Sequence, residues 1–310
     1  MILVTGGTGF IGRELVRRLL NCGSRVRVLS RREADTLGEL FIGDITKPES
    51  LTEAMRGVNE VFHLAALVDH FAPKEVLEKV NVTGTVNVAK AAIKHGVSRF
   101  IHCSTVSAER GGGTTAYGKS KILAEKTLPS CTTGMSYVII RPGPVYDGTR
   151  HNLKKAVYFA RRFKIFGKII PDNIIHLASR TNVVNGMMLA AERGMPGKAY
   201  TICDLKPVSR ALLSQIICEK THAFLLPLPL YVMYPFLYAV SSGVEILSNL
   251  IKKRPPLNRN YLRMLTRRRE YEVSPAVHEL GYEPATTEIH FAQAVDACLK
   301  NLSKKTVSEN

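Results

Sequence analysis

The sequence predicts an α/β fold, a doubly wound parallel sheet followed by a smaller, mainly helical C-terminal lobe. Three observations predict it. An apolar run, Ile2-Leu3-Val4, passes straight into the glycine turn Thr5-Gly6-Gly7-Thr8-Gly9-Phe10-Ile11-Gly12. Leu15, Val16, Leu19 and Leu20 then recur at helical spacing with Arg13, Arg17 and Arg18 opposite. Short apolar runs and amphipathic stretches alternate in this way to about Arg141, the rhythm of a parallel sheet covered on both faces. After Tyr146 the rhythm loosens, and from Lys206 the chain reads as mainly helical with loops at prolines. A length of 310 residues, 45% hydrophobic, suffices for a large core.

In order, residues 25–29 alternate as a second strand that ends at Ser30-Arg31-Arg32. Residues 40–45 give a third strand and its exit, and Pro48 starts a short helix that Gly57 ends. Residues 61–66 form a fourth strand ending in the small residues Ala65 and Ala66; His63, inside it, reads as a hydrogen-bonded core histidine. A long helix covers about residues 74–95. Residues 98–103 are a fifth strand, followed by Ser104-Thr105, a glycine-rich loop (Gly111-Gly112-Gly113) and Tyr117. Residues 137–141 are a sixth strand, broken by Pro142 and Pro144. Residues 152–164 and 182–193 look helical and 199–203 look like a strand. Ser274-Pro275 opens a helix with serine as cap, and the last nine residues read as frayed.

The opening turn carries the first functional reading. Gly6 permits the tight turn, Gly9 lets the backbone approach a pyrophosphate, and Gly12 lets helix pack on strand. Thr8, Phe10 and Ile11 share that turn and the helix N-terminus, whose free N–H groups face the phosphates. The spacing is Gly-x-x-Gly-x-x-Gly rather than Gly-x-Gly-x-x-Gly. The expected division is therefore a dinucleotide-binding domain over 1–145, with returning elements at about 176–205. A substrate lobe takes 146–175 and 206–310. At the end of the second strand an NAD-preferring fold places an acid for the ribose hydroxyls. Arg31 and Arg32 stand there instead and suit a 2′-phosphate, so NADP is favoured and NAD is the alternative.

Tyr117-Gly118-Lys119-Ser120-Lys121 carries the second. Tyr117 and Lys121, four apart at a helix start, project from one face. A free tyrosine has a pKa of about 10. A neighbouring ammonium and the charge of an oxidised nicotinamide favour its phenolate, which makes tyrosine a workable acid for a ketone or base for an alcohol. Ser104 or Thr105, at the preceding strand end, supplies a hydroxyl to the substrate oxygen.

With these residues in place the chain resembles an extended short-chain dehydrogenase/reductase. Thr5–Gly12, Asp44-Ile45, residues 63–66 and 81–87, Ser104-Thr105, Tyr117–Lys121 and Arg141-Pro-Gly-Pro-Val-Tyr146 fall in that family's order over roughly the first 205 residues. A weaker echo lies at Leu280-Gly281-Tyr282-Glu283-Pro284. The resemblance implies that Asp44 and Ile45 flank the adenine and Ala65 and Ala66 lie along the cofactor. Lys121 also bonds the nicotinamide ribose, and Pro142 to Val145 border the nicotinamide. It implies that Thr105 is the catalytic hydroxyl, with Ser104, thirteen residues before Tyr117, as the alternative, and that Asn81 is the family's helix asparagine. Nucleotide-sugar epimerases and dehydratases carry an arginine-aspartate pair where this chain has Pro171-Asp-Asn-Ile-Ile-His-Leu-Ala178. The chain more closely resembles the 3β-hydroxysteroid dehydrogenase and dihydroflavonol-reductase branch. It departs from that branch in a shorter loop between Thr105 and Tyr117 and in the NADP-type arginines. The implied activity is hydride transfer between a nicotinamide and a secondary alcohol or ketone of an apolar, sterol- or terpenoid-like molecule. The alternatives are a nucleotide-sugar epimerase or dehydratase holding NAD tightly, and a catalytically idle NADP-binding sensor or assembly protein.

Residues 222–250 stand apart. From Phe224 to Val240 there is no charge, Glu245 is the first, and Lys252-Lys253-Arg254 close the stretch. Pro227, Pro229 and Pro235 argue against a spanning helix, which needs about 20 apolar residues without such breaks. One reading is a buried helix lining an apolar pocket. The other is a peripheral membrane contact through 223–254, held to anionic lipid by nearby basic residues including Arg267-Arg268-Arg269. The net charge of +17 favours anionic partners, but no nucleic-acid motif appears and the basic residues are scattered. The six cysteines show no paired spacing and read as reduced thiols. With no signal peptide in view, a cytoplasmic protein is expected, with peripheral contact at the inner face of a membrane as the variant. No metal site is expected, and the family resemblance leaves room for a homodimer paired through helices that include the one bearing Tyr117.

Overall fold

The computed structural model describes residues 1–69, 71–109, 115–170, 172–250 and 268–308. The glycine-rich loop at 111–113, Pro171, the basic cluster 252–254 and Arg267 lie outside the described residues. The chain divides into two units, Met1–Gly143 with Arg180–Cys203 and Glu272–Glu283, and Pro144–Ser179 with Asp204–Tyr271 and Pro284–Asn310.

The first unit is built on β1 (Ile2–Thr5), α1 (Phe10–Asn21), β2 (Val26–Ser30), β3 (Glu39–Ile42), β4 (Glu60–His63), α2 (Lys74–Glu78), α3 (Gly84–Lys94), β5 (Arg99–Cys103), α4 (Ala116–Cys131) and β6 (Ser136–Pro142). Seven strands, counting β11 (Ala199–Ile202), form one sheet in the order β11-β6-β5-β4-β1-β2-β3, every pair parallel. The order reverses between β1 and β4, so the crevice outside the carboxyl ends of these strands is the place for a ligand. Leu3, Val4, Val61, Phe100 and Ile101 are fully buried, as expected of a sheet covered on both faces. Helix α1 buries Gly12, Leu15, Val16 and Leu19 and exposes Arg13 and Arg17, which is the stripe read from the sequence.

Several details differ from the sequence reading. Pro48 to Gly57 holds two 3₁₀ turns, Pro48–Leu51 and Glu53–Met55. The long helix is interrupted by a π-helical turn, Lys79–Thr83. The segment Glu272–Glu283, read as part of the C-terminal lobe, groups with the first unit. There Tyr282, 1% exposed, donates its hydroxyl to the Cys203 carbonyl at 2.8 Å.

The second unit contains β7 (Val145–Tyr146), α5 (His151–Phe163), β8 (Ile165–Ile170), β9 (Ile174–Ile175), β10 (Ala178–Ser179), β12 (Val208–Ser209), α7 (Arg210–Thr221), β13 (Phe224–Pro229), α8 (Leu230–Leu250) and α10 (Thr287–Ser308). Helices α6 (Arg180–Arg193) and α9 (Ser274–Leu280) belong to the first. Leu153, Val157, Ala160, Ile217, Val295 and Cys298 form the core of the second unit. Asp204 is fully buried in it and accepts from Tyr146 Oη, Thr287 Oγ1 and the Ser179 amide at 2.8, 2.9 and 2.7 Å. Residues 224–229 form a strand rather than a helix or loop. They pair in parallel with β8, and in a two-stranded ribbon Pro227 and Pro229 need not donate to a second neighbour. Ser274 is the first helical residue of α9 and Val273 precedes it, so the serine does not cap. Helix α10 extends to Ser308, past the expected fraying point at Leu302. No helix among the described residues is long and apolar enough to cross a membrane.

Candidate active site

Each residue singled out in the first unit lies at or just beyond the carboxyl edge of the sheet or on a helix leaving it. The glycine turn follows β1. Gly6 takes φ +73°, and a Cβ there would stand 2.7 Å from the Ala65 amide nitrogen. A Cβ on Gly12 would stand 2.2 Å from the Gly6 carbonyl oxygen, so only glycine lets α1 seat on the turn. Gly9 caps α1 without a side chain, and the first turn carries no acid. This cradle fits a diphosphate: the helix N-terminus is positive and its first turn holds no acid. The Thr8 carbonyl accepts from Arg13 Nε at 3.0 Å, the Phe10 ring lies 5.2 Å from the Arg180 guanidinium carbon, and Ile11 is half-buried.

Beyond β2, Arg31 and Arg32 are both exposed. Asp44 follows β3 and takes two hydrogen bonds from Thr46, amide and hydroxyl. Burial alone would raise its carboxyl, but these bonds and the charges of Arg31 and Lys47 outweigh it and leave the pKa lowered. Ile45, 6% exposed, sends its side chain into the core against Gly84, and Asn87 holds its carbonyl at 3.0 Å. Ala65 and Ala66 are half-buried past β4, and Thr5 Oγ1 accepts from the Ala65 amide at 3.2 Å. Pro142 ends β6, buried, in the first unit; Val145 opens β7 in the second.

Helix α4 brings the chemistry. Thr115 caps it by accepting from the Gly118 amide at 3.0 Å, which fixes Tyr117 and Lys121 in the first turns. Tyr117 is 8% exposed and Lys121 1%. Lys121 Nζ donates to the Cys103 carbonyl at 2.8 Å and lies 3.4 Å from His102 Nε2, so the ammonium is anchored at the end of β5. Burial lowers the Lys121 pKa. Burial, and then the Cys103 thiol, raise that of Tyr117, so the chain by itself keeps a neutral phenol rather than the phenolate expected from the lysine. The same burial pushes Cys103 up to about 11, an inert thiol.

Asn81 sits in the π turn, fully buried. Its Nδ2 donates to Ser120 Oγ at 2.9 Å and to the Leu67 carbonyl at 3.1 Å, and its Oδ1 accepts from the Leu67 amide at 2.7 Å. Ser120 in turn donates to the Tyr117 carbonyl at 2.7 Å. The asparagine thus ties the α2–α3 helix to the helix that bears Tyr117. The two candidate hydroxyls part company. Ser104 is 5% exposed and donates to Glu125, which also takes Arg141 Nε and Nη2 at 3.0 and 2.5 Å. Thr105 is half-buried, extended, and accepts from the Ser107 amide at 3.2 Å, which leaves its hydroxyl proton outside that bond.

The expectation for His63 holds: it is 1% exposed, with Thr5 Oγ1 2.7 Å from Nδ1 and Thr85 Oγ1 3.0 Å from Nε2. Burial, with the Lys121 charge, pulls its pKa down to about 3. Sequence reasoning missed His102, Glu125 and the use of Arg141. His102 stacks on His63 at 5.5 Å because the two are register partners on β4 and β5. Glu125 lies four residues after Lys121, a spacing that could have suggested a shared face.

Residues 2–202 match the NAD dependent epimerase/dehydratase family. The chain belongs to that family. The 3-beta-hydroxysteroid dehydrogenase of Mycolicibacterium neoaurum is 28% identical over 96% of this chain and 90% of that protein. A 4-hydroxy-2-methyl-3-oxo-4-farnesyl-3,4-dihydroquinoline-1-oxide ketoreductase of Stigmatella aurantiaca is 31% identical over 69% of this chain and 71% of that one. The UDP-glucose 4-epimerase of Thermotoga maritima shares the fold, with a TM-score of 0.75 over 97% of this chain and 99% of that chain at 21% identity. The extended short-chain dehydrogenase/reductase resemblance is borne out, and the family is one of NAD(P)-dependent enzymes with a Rossmann sheet. The relatives named for steroid and ketone chemistry are oxidoreductases.

Proposed function

We propose that the protein is an NADP-dependent oxidoreductase that reduces a ketone of an apolar, sterol- or terpenoid-like substrate to a secondary alcohol. The observation that carries this reading is Lys121, buried and fixed to the Cys103 carbonyl one turn after a buried Tyr117. The cradle of Gly6, Gly9 and Gly12 would hold the diphosphate, Arg31 and Arg32 the 2′-phosphate, and Lys121 the nicotinamide ribose. When bound, the cofactor supplies the hydride. Tyr117, a neutral phenol in the chain by itself, donates the proton to the carbonyl oxygen; burial alone makes it a weaker donor, and the charges of Lys121 and of the oxidised nicotinamide would offset that. Lys121 steadies the phenolate left behind. Thr105 donates a hydrogen bond to the same oxygen, while Ser104, committed to Glu125, braces the end of β5. The steroid dehydrogenase and farnesyl-bearing ketone in the relatives' names support an apolar substrate.

The test is consumption of NADPH with a panel of steroid and terpenoid ketones, run beside UDP-sugars. Turnover with a ketone and none with the sugars is expected. NAD that co-purifies tightly, with UDP-sugar conversion and no ketone reduction, would replace this reading with the epimerase one.

A further inference from the structure

The second unit carries apolar side chains on its outside. Ribbon β8/β13 pairs Phe224 with Ile165 and Leu226 with Gly167; paired residues on parallel strands share a face, and so do alternate residues along a strand, which adds Leu228. On that face Phe224 is 71% exposed and Ile165, Leu226 and Leu228 are exposed as well. The opposite face turns inward, where Phe166 packs on the core of the unit. Helix α5 leads directly into β8. Its Lys155, Phe159, Arg162 and Phe163 follow i, i+4, i+7, i+8 spacing and are all exposed, and the Phe159 and Phe163 rings lie 4.7 Å apart. Helix α8 continues from β13 and exposes Met233, Phe236 and Val240 at i, i+3, i+7, Phe236 to 68%.

Charge says what this face fits. Residues 150–171 contain seven Lys and Arg and no acid; residues 221–244 contain neither acid nor Lys or Arg. Exposed aromatic and aliphatic side chains beside cations, in a stretch of sequence that holds no acid, are the composition of an interfacial anchor. We propose that the outer face of β8/β13, with the flanking face of α5, docks on an anionic lipid bilayer. Phe163, Phe224 and Leu226 enter the headgroup boundary, and Lys155 and Arg162 pair with lipid phosphates. The footprint is the ribbon and α5 rather than the span 223–254 alone, whose last residues lie outside those described. It does not depend on the activity proposed above.

The full-length protein is sedimented with phosphatidylcholine vesicles containing or lacking phosphatidylglycerol, at low and high salt. Binding to the anionic vesicles at low salt is expected, weakened by salt. Lys155→Glu/Arg162→Glu should cut the partition coefficient at least about tenfold, and Phe163→Ser/Phe224→Ser about tenfold. Far-UV circular dichroism of both variants should match the wild type, because these side chains are exposed. No binding to anionic vesicles would overturn the proposal, as would binding unchanged in both variants. Sedimentation velocity showing a dimer that Phe163→Ser/Phe224→Ser dissociates would also overturn it and assign the face to a second copy.

Discussion

The glycine turn and the Tyr117 helix sit at the same carboxyl edge of one sheet, yet they are built in opposite ways. The turn is main chain and small residues within eight consecutive positions, and its limit is space: a Cβ on Gly12 would meet Gly6 O at 2.2 Å. The Tyr117 end is side chains from β4, the π turn, β5 and α4. Its limit is partnership: Lys121 needs Cys103 O and His102, and Asn81 needs Ser120 and Leu67. A site made of shape should fail when an atom is added. A site made of buried polar groups should fail when a partner is removed.

The largest expected effect breaks the chemical end alone. Lys121→Met should lower kcat by about a hundredfold or more, the scale of a lost acid–base assistant, with the diphosphate cradle intact. Steady-state kinetics with a ketone that the NADPH panel turns over checks it. Gly12→Ala should do the reverse, destabilising the fold by about 1–3 kcal/mol through overpacking and weakening both NADPH and NADH. Chemical denaturation and fluorescence titration read the two together. Arg31→Ala/Arg32→Ala sharpens the comparison within the cradle. NADPH affinity should fall about ten- to a hundredfold and NADH affinity stay level, as for the loss of charge-assisted bonds. Equal losses for both cofactors would remove the arginines from the phosphate site. Thr105→Ala should lower kcat about tenfold, whereas Ser104→Ala should mainly cost stability, about 1–3 kcal/mol for a buried pairing with Glu125; the opposite pattern would exchange their roles.

The smallest effect concerns pH. His63 in the fold titrates at about 3, against about 6.5 when unfolded. The unfolded chain therefore takes up this proton first as pH falls. The stability that the neutral ring contributes is complete above about pH 6.5 and declines between there and pH 3, by at most about 1.4 kcal/mol per unit. His102, held down in the same direction by burial, adds to the slope. Thermal unfolding at pH 7.5 and 5.5 should show a lower Tm at the acid value, and His63→Gln should flatten the difference.

The same contrast explains what could be read in advance. The glycine turn was legible because its requirement is local, and most sheet strands fall within a residue or two of expectation because buried parallel strands are apolar runs; the fourth, expected over 61–66, ends at His63, so Ala65 and Ala66 lie beyond it. Lys121's anchors were not legible: they depend on which strand lies beside β5 and in what register, as with His63 opposite His102. Residues 224–229 were missed because their two prolines, with Pro235 beyond, and a charge-free run suggest a broken helix. The strand exists through pairing with Ile165–Ile170, far off in sequence. The return of Glu272–Glu283 to the first unit rests on contacts distant in sequence, which no periodicity announces: Tyr282 reaches the Cys203 carbonyl, Glu279 takes Lys198 and Tyr200, and Arg193 donates to the Leu280 carbonyl.

The most direct test of Tyr117 as the proton donor is a single-turnover measurement with NADPH deuterated at the transferring position. Wild type should place deuterium on the carbinol carbon of the alcohol product. Tyr117→Phe should bind NADPH within about twofold of wild type yet transfer the label at least about a hundredfold more slowly. Transfer at the wild-type rate by Tyr117→Phe would contradict the account.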